Sequence, residues 1–443
     1  MRKITLPENV KHIIATLQQH GHEAYAVGGC IRDSILKREP EDWDITTSAM
    51  PKEVKKIFKR TFDTGIEHGT ITVLINKVGY EVTTYRIDGK YENHRHPSEV
   101  EFTRNLREDL LRRDFTINAM AYNEQEGLVD PFGGLKDLEA KKIVCVGSAN
   151  QRFDEDALRI LRAVRFAAQL GFSIEEKTKE AIKAMADSLK YISAERIQVE
   201  MTKLLVSAHP EQIEEAYNLG ITKVILPEFD QAMNTTQETP HHQYNVGVHT
   251  IQALRNIEAN KVLRLTVLFH DMGKAQMKTI DEEGVAHFKQ HALVSEQIAK
   301  DVLRRLKFDN ETIQMVAKLV LYHDYRMPAN EVAVRRAMNK ISTELFPMYS
   351  KVRCADTLAQ SEYLREEKLL NIEQVEKLYQ QIKEKNQCVV LKDLAISGKD
   401  LLALGVPQGA RIGEILEGLL EEVLEHPKDN QREVLLDKAR LLI

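Results

Sequence analysis

The sequence predicts an α+β protein, a small α/β head followed by all-helical modules, and three observations carry that prediction. Through about the first 120 residues, short β-branched or aromatic runs alternate with turns, and Ala24 to Val27, Ile71 to Ile75 and Gly79 to Arg86 read as strands. From Asp154 to the C-terminus, leucine, isoleucine and alanine recur at three- and four-residue spacing, the period of a helix. Glycine or proline near 171, 209, 227, 240, 328 and 407 cuts that helical part into modules. At roughly 150 residues per domain, 443 residues make about three domains, so no single motif accounts for the chain. The expected regions are a head at 1–145, a helical neck and body at 146–235, a third module at 236–365 and a helical tail at 366–443. The polar, aperiodic stretch Asp230 to His241 reads as a linker.

Composition excludes several classes. Hydrophobic residues at 43% and charged residues at 29% supply a core and exclude long disorder. The longest apolar runs, such as Val262 to Phe269, fall far short of the roughly 18 residues that span a bilayer. Met1-Arg2-Lys3-Ile4 is not followed by a signal-peptide apolar region, so a cytoplasmic protein with no membrane partner is expected. Cysteines at 30, 145, 354 and 388 form no CxxC pair, which points to reduced thiols rather than disulfides or a zinc ribbon. With 62 basic against 67 acidic residues the net charge is −5, so bulk electrostatics do not mark a nucleic-acid binder. Arginines cluster locally, however, at 104, 107, 112 and 113 and again at 152, 159, 162 and 165, as a basic site on an acidic protein would require.

The head carries two motifs. Tyr25-Ala26-Val27 runs as a strand into Gly28-Gly29, and a helix follows from Ile31. Glycines let the backbone approach an anion, the free amides of a helix start point at phosphate, and Arg32 adds a forked donor. An isolated Gly-Gly is also an ordinary tight turn. Next comes Asp42-Trp43-Asp44-Ile45-Thr46-Thr47, where a strand would project both carboxylates to one face. Hard magnesium ions take such oxygens together with substrate phosphates, so a phosphate cradle followed by this pair suits nucleotidyl transfer. Glu81 in Tyr80-Glu81-Val82 is the candidate third carboxylate.

The strings AYAVGGCIRDSILKREPEDWDITTSAMP, TGIEHGTITV, YEVTTYR, EDLLRRDFTINAMAYN, DPFGGLKDLEAK and RFDEDALRILRAVRFAAQLGF resemble the class II tRNA nucleotidyltransferases, bacterial CCA-adding enzymes and their poly(A) polymerase relatives. The resemblance covers roughly residues 20 to 170 and implies a polymerase β-like nucleotidyltransferase head with helical neck, body and tail. It implies that Asp42 and Asp44 are metal ligands, and that Gly28, Gly29, Arg32 and Arg113 contact a nucleotide triphosphate. In Glu155-Asp156-Ala157-Leu158-Arg159 the family's Glu-Asp-x-x-Arg pattern reads the base. An Asp-Arg couple at i and i+3 can accept from and donate to a base edge, which selects CTP or ATP without a template. Asp156, Arg159, Arg162 and Arg165 then spiral over half a helix, and surface ion pairs such as Glu155 to Arg159 are the plainer alternative.

Asp88 to Pro97, rich in glycine and polar residues, reads as a mobile loop, and in the family a loop here helps the switch from CTP to ATP. Its retention favours CCA or A addition over CC addition. Gly65-Ile66-Glu67-His68-Gly69-Thr70 stands where poly(A) polymerases usually carry arginines, which argues against poly(A) synthesis.

Histidines concentrate between 241 and 291, and His270-Asp271 closes the apolar run Val262 to Phe269. Adjacent histidine and aspartate at a helix end can reach one cation, with His249 before them and Asp356 far downstream. This ordered set resembles the HD phosphohydrolase superfamily over roughly residues 240 to 360, with His291 and His323 at positions of a two-metal version. A second divalent metal there could serve hydrolysis of phosphomonoesters or 2′,3′-cyclic phosphates, or the module could be a relic. His241, His242 and His287 read as surface or supporting residues. In the tail, Gly405-Val406-Pro407-Gln408-Gly409 precedes an amphipathic helix through Ile412, Ile415, Leu416, Leu419, Leu420 and Val423.

The expected function is template-independent addition of CCA to the tRNA 3′ end from CTP and ATP with Mg2+, by a monomer or homodimer. An A-adding enzyme or poly(A) polymerase, a phosphohydrolase with an inactive head, and an RNA-binding scaffold are the alternatives.

Overall fold

The computed structural model describes residues 3–88, 91–92, 96–97 and 100–443, and most of the loop expected at 88–97 lies outside the described residues. The chain separates into two compact units, Met1–Pro227 and Glu228–Ile443.

In the first unit a mixed sheet is built from β1 (Ala24–Val27), β2 (Ile45–Thr47), β3 (Thr61–Gly65), β4 (Thr70–Ile75), β5 (Val78–Thr84), β6 (Ala121–Asn123) and β7 (Gly127–Val129), in the order β7-β6-β1-β2-β5-β4-β3. The three expected strands are β1, β4 and β5, while β3, β6 and β7 are short and carry no clear alternation. β1 is buried along its whole length and pairs antiparallel with both β6 and β2. Register then positions the chemistry. Ala26 lies opposite Ile45 and the Val27 amide donates to the Asp44 carbonyl at 3.0 Å, so Gly28 emerges beside Asp44. β2 runs parallel to β5 with Ile45 opposite Val82, which sets Glu81 level with Asp44. Behind this end of the sheet, Tyr25, Val27, Tyr85, Leu110, Ala121 and Val146 form a continuous apolar core.

The helix expected from Asp154 is interrupted. One helix ends at Glu155, Asp156 is extended (φ −142°, ψ 103°), and α1 (Leu158–Leu170) starts afterwards. The cause is local: the Asp156 carboxylate accepts from the Leu158 amide at 3.1 Å, as short acidic side chains do where a helix begins. α1 buries Ile160, Leu161, Val164 and Phe166 and ends at Gly171, whose φ of 69° suits glycine. It packs on α2 (Ala194–Leu205).

The second unit is almost wholly helical. Its central helices are α3 (Val246–Arg255), α4 (Lys261–Phe269), α5 (His291–Arg305), α6 (Asn310–Tyr322) and α7 (Phe346–Ala359). Caps from Asn245, Asn260 and Asp309 satisfy the first amides of α3, α4 and α6. α4 is buried from Val262 to Phe269, which explains its mostly apolar sequence, and the buried Arg264 within it donates to the Glu258 carbonyl at 3.0 Å. The polar stretch read as a linker is instead built into this unit: Thr235 accepts from Val246, Glu238 from Ala286, and Gln237 from Lys274. In the tail the amphipathic helix is Ala410–Glu425, and buried Arg335 donates to the Leu424 carbonyl at 2.7 Å near its end. The described cysteines are all unpaired thiols.

Candidate functional site

Two sites emerge, one in each unit. In the head, Gly28 has φ 86°, a conformation that demands glycine, and a Cβ there would stand 2.9 Å from Arg113 Nη1 and push the guanidinium aside. Asp42 and Asp44 lie in the extended entry to β2 rather than within it. Asp44 is exposed to solvent on one side, yet the protein around it desolvates its carboxyl enough to push it up; the Arg113 guanidinium opposes this and Asp42 adds to it. Glu81 is likewise pushed up, first by burial and then by Asp44 and Asp42. The three carboxylates therefore sense one another. Among the described residues, however, they do not form a triad of ligand atoms within 4.8 Å.

Buried charges hold the surrounding cations in place. Asp109, with 0% exposure, accepts from Arg112 Nη2 at 2.8 Å and from Thr46 Oγ1 at 3.1 Å, and its Oδ2 lies 3.7 Å from Arg113. Asp114 pairs with Arg162 at 2.6 Å and Glu200 with Arg165 at 2.8 Å. Burial works against the Asp114 carboxylate, but Arg162 and Asn118 outweigh it and depress its pKa. The Asp-Arg pattern is engaged within the protein: Arg196 pairs with Asp156 at 2.7 Å, and Arg159 pairs with Glu155 and donates to the Arg112 carbonyl at 2.9 Å. Asp156 thus precedes α1 and does not belong to the spiral formed by Arg159, Arg162 and Arg165. Sequence reasoning missed Asp109, Asp114, Asn118, Arg196 and Glu200. The first three stand in the string EDLLRRDFTINAM, while nothing local marks Arg196 or Glu200.

In the second unit all six expected ligands converge. His249 Nε2 lies 2.9 Å from Asp356 Oδ1 and 3.3 Å from His270 Nε2. Asp271 bridges two groups: its Oδ2 is 3.3 Å from His270, and its Oδ1 is 3.3 Å from His291 and 3.4 Å from His323. Lys274, not foreseen, reaches Asp271 Oδ2 at 2.7 Å. The rings are oriented by backbone: Nδ1 of His270, His291 and His323 faces the carbonyls of Val267, Phe288 and Val320 at 2.6 to 2.8 Å. A carbonyl only accepts, so in the neutral rings the proton sits on Nδ1 and the Nε2 lone pairs face one another. Facing lone pairs in a buried site suit a shared cation, and backbone-anchored imidazoles are the usual support of metal ligands. Burial opposes ionisation of Asp271, yet His270 and Lys274 hold its carboxyl well below the usual range. A cavity of about 690 Å³ opens onto this cluster, lined by Lys274, Lys289, His291, His323, Arg326 and Asp356. His242 adjoins Lys274 at 3.4 Å, His241 contacts Lys368, and His287 pairs with exposed Asp281.

Three family profiles match the chain. The poly A polymerase head domain profile matches residues 24–144, the probable RNA and SrmB-binding site of polymerase A matches 171–233, and tRNA nucleotidyltransferase domain 2 matches 277–439. The CCA-adding enzyme of Limosilactobacillus reuteri (strain DSM 20016) is 37% identical over 436 residues, covering 98% of this chain and 96% of that protein.

The chain belongs to the CCA-adding enzyme family.

The CCA-adding enzyme of Enterococcus faecalis is 36% identical over 99% of this chain and 98% of its own length. The crystal structure of the Bacillus stearothermophilus CCA-adding enzyme in complex with CTP aligns over 97% of this chain and 96% of that one, with a TM-score of 0.70 and 28% identity. The Thermotoga maritima CCA-adding enzyme complexed with tRNA shares the fold at a TM-score of 0.60 and 21% identity. Membership makes this chain a tRNA nucleotidyltransferase with a polymerase β-like head and helical body, of a family that uses divalent metals. No helix among the described residues is long and apolar enough to cross a membrane.

Proposed function

We propose that this chain adds CCA to the 3′ end of tRNA from CTP and ATP, in the cytoplasm, with magnesium held by Asp42 and Asp44. The observation that carries the reading is the Arg113 guanidinium set between the Gly28 turn and the Asp44 carboxylate. In this reading a hydrogen-bond donor for phosphate stands beside metal-type acceptors at one end of the central strands β1 and β2. The carboxylate pair fits a hard divalent ion by its all-oxygen chemistry, and such an ion stabilises charge on the transferring phosphoryl group and on pyrophosphate. The terminal ribose oxygen of tRNA bonds to the α-phosphorus, and the bond from that phosphorus to the pyrophosphate oxygen breaks.

The chain's own residues bind and orient. Gly28, Gly29, Arg32 and Arg113 hold the triphosphate, and Asp156 and Arg159 read the base. Glu155 and Arg196 fix those two readers, while Arg162 and Arg165 anchor α1. In this reading residues 1–145 catalyse, 146–235 select nucleotide and bind tRNA, 236–365 form the third module and 366–443 the tail. The test is extension of tRNA lacking CCA and of tRNA ending in CC, with CTP, ATP or both. Growth by three residues on the first substrate supports CCA addition. Growth only on the second would make it an A-adding enzyme, and long adenosine tracts a poly(A) polymerase.

A second activity is favoured by the buried cluster at His249, His270, Asp271, His291, His323 and Asp356, whose nitrogen-and-carboxylate donors suit a transition metal. Such a metal supplies an activated water, and the cationic cavity wall would orient a phosphomonoester or 2′,3′-cyclic phosphate. Transition-metal-dependent phosphate release from a phosphomonoester, or ring opening of a 2′,3′-cyclic phosphate, that Asp42→Ala leaves intact and His270→Ala abolishes is the expected result.

A further inference from the structure

We infer that Asn118 is a positioning residue that couples Arg32, on the phosphate side of the head, to Arg162 on α1. Holding the triphosphate and presenting the base would then share one geometry. The inference deepens the reading of Arg32 as a triphosphate contact and of α1 as part of the base-selecting helix, and it rests on that reading.

Asn118 ends the single helical turn Thr116–Asn118 and is 6% exposed. Its Oδ1 accepts from Arg32 Nη1 at 2.6 Å, and its Nδ2 donates to Asp114 Oδ1 at 3.1 Å. The other Asp114 oxygen accepts from Arg162 Nε at 2.8 Å and lies 2.6 Å from Nη2. The amide orientation is dictated by its neighbours, because a guanidinium only donates and an ionised carboxylate only accepts. Both ends of the asparagine are therefore used, and no other side chain of that size offers one acceptor and one donor in that order. A second path closes the circuit: the guanidiniums of Arg32 and Arg162 lie 5.0 and 5.3 Å from the centre of one ring, Phe166. Arg32 is further held by Asp33 at 2.8 Å.

A purely structural asparagine would satisfy Asp114 and nothing more. The two roles separate on the full-length protein with Asn118→Ala and Asn118→Asp, following thermal melting, CTP binding by calorimetry, KM and kcat on tRNA lacking CCA, and UTP misincorporation. Asn118→Ala is expected to raise KM for both CTP and ATP by roughly tenfold, the scale of one buried charge-assisted hydrogen bond, with a much smaller change in kcat. Asn118→Asp keeps an acceptor for Arg32 but sets a carboxylate against Asp114. It should hold CTP nearly as well as the parent and lose discrimination against UTP. Because the coupling acts through Arg32, Arg32→Ala combined with Asn118→Ala should bind CTP no more weakly than Arg32→Ala alone. Parental KM and discrimination in folded Asn118→Ala, or additive losses in the double variant, would overturn the coupling. Should Asn118→Ala fail to fold, an unchanged UTP ratio in Asn118→Asp overturns it instead. Undiminished CTP binding by Arg32→Ala would overturn the triphosphate reading itself, and this inference with it.

Discussion

The head and the histidine cluster gather ionisable side chains in opposite ways. In the head the two carboxylates are accessible to solvent and two residues apart in sequence, and Arg113, the cation that acts on Asp44, lies 3.7 Å from buried Asp109. In the second unit every residue of the cluster is buried, and contacting partners such as His249 and Asp356 are 107 positions apart on different helices. An open site exchanges nucleotide and pyrophosphate with solvent at each turnover, whereas a closed one keeps its ion and admits only what fits the cavity. The contrast teaches that local motifs build the first kind of site and long-range packing the second.

The sharpest way to break this comparison is Asp42→Ala. Nucleotide addition should fall by at least about a thousandfold, as loss of a metal-ligating carboxylate implies, while metal bound by the second unit, measured by elemental analysis, stays unchanged. Parallel loss of both would mean the two sites are not separate. Next in size is Glu200→Ala, which leaves Arg165 buried without its carboxylate, the pair being 7% and 6% exposed. A cost of about 3–5 kcal/mol is expected, read as a lowered denaturation midpoint for the first unit.

Gly273→Ala sharpens the long-range side of the contrast. A Cβ at Gly273 would lie 2.4 Å from the His291 carbonyl and 2.6 Å from the Ser295 amide. The start of α5 must then move away from Asp271, and metal affinity in the second unit should drop by roughly ten- to a hundredfold with extension activity preserved. The smallest effect concerns pH. Desolvation raises the Asp44 carboxyl and Arg113 opposes that rise, so Arg113→Met removes a restraint and moves the acid limb of kcat/KM to higher pH. A limb that stays in place would show that Arg113 and Asp44 are not electrostatically linked.

Much of this was legible in the sequence. The strands expected at Ala24 to Val27 and Ile71 to Ile75 followed from β-branched or aromatic residues bounded by turns, and the helical body followed from its period. Gly28, Asp42, Asp44 and the six residues that converge in the histidine cluster were nameable because their residue types are costly or reactive enough to stand out. The break at Asp156 was not legible, since periodicity runs through it and only a side-chain bond to the Leu158 amide decides it. Nor did anything mark 230–241 as part of the second unit, because polar loops read alike whether free or stitched down.

What the sequence alone determined is therefore the inventory: elements whose period is written in side-chain polarity, and motifs whose residues sit within a few positions of one another. Tertiary structure alone decided the pairings. Strand register put Glu81 beside Asp44, packing joined His249 to Asp356, and a single amide linked Arg32 to Asp114. The physical reason is that period and propensity act over one or two turns of chain. Ion pairs and ligand sets instead depend on distances of 3 to 4 Å between residues that only folding brings together.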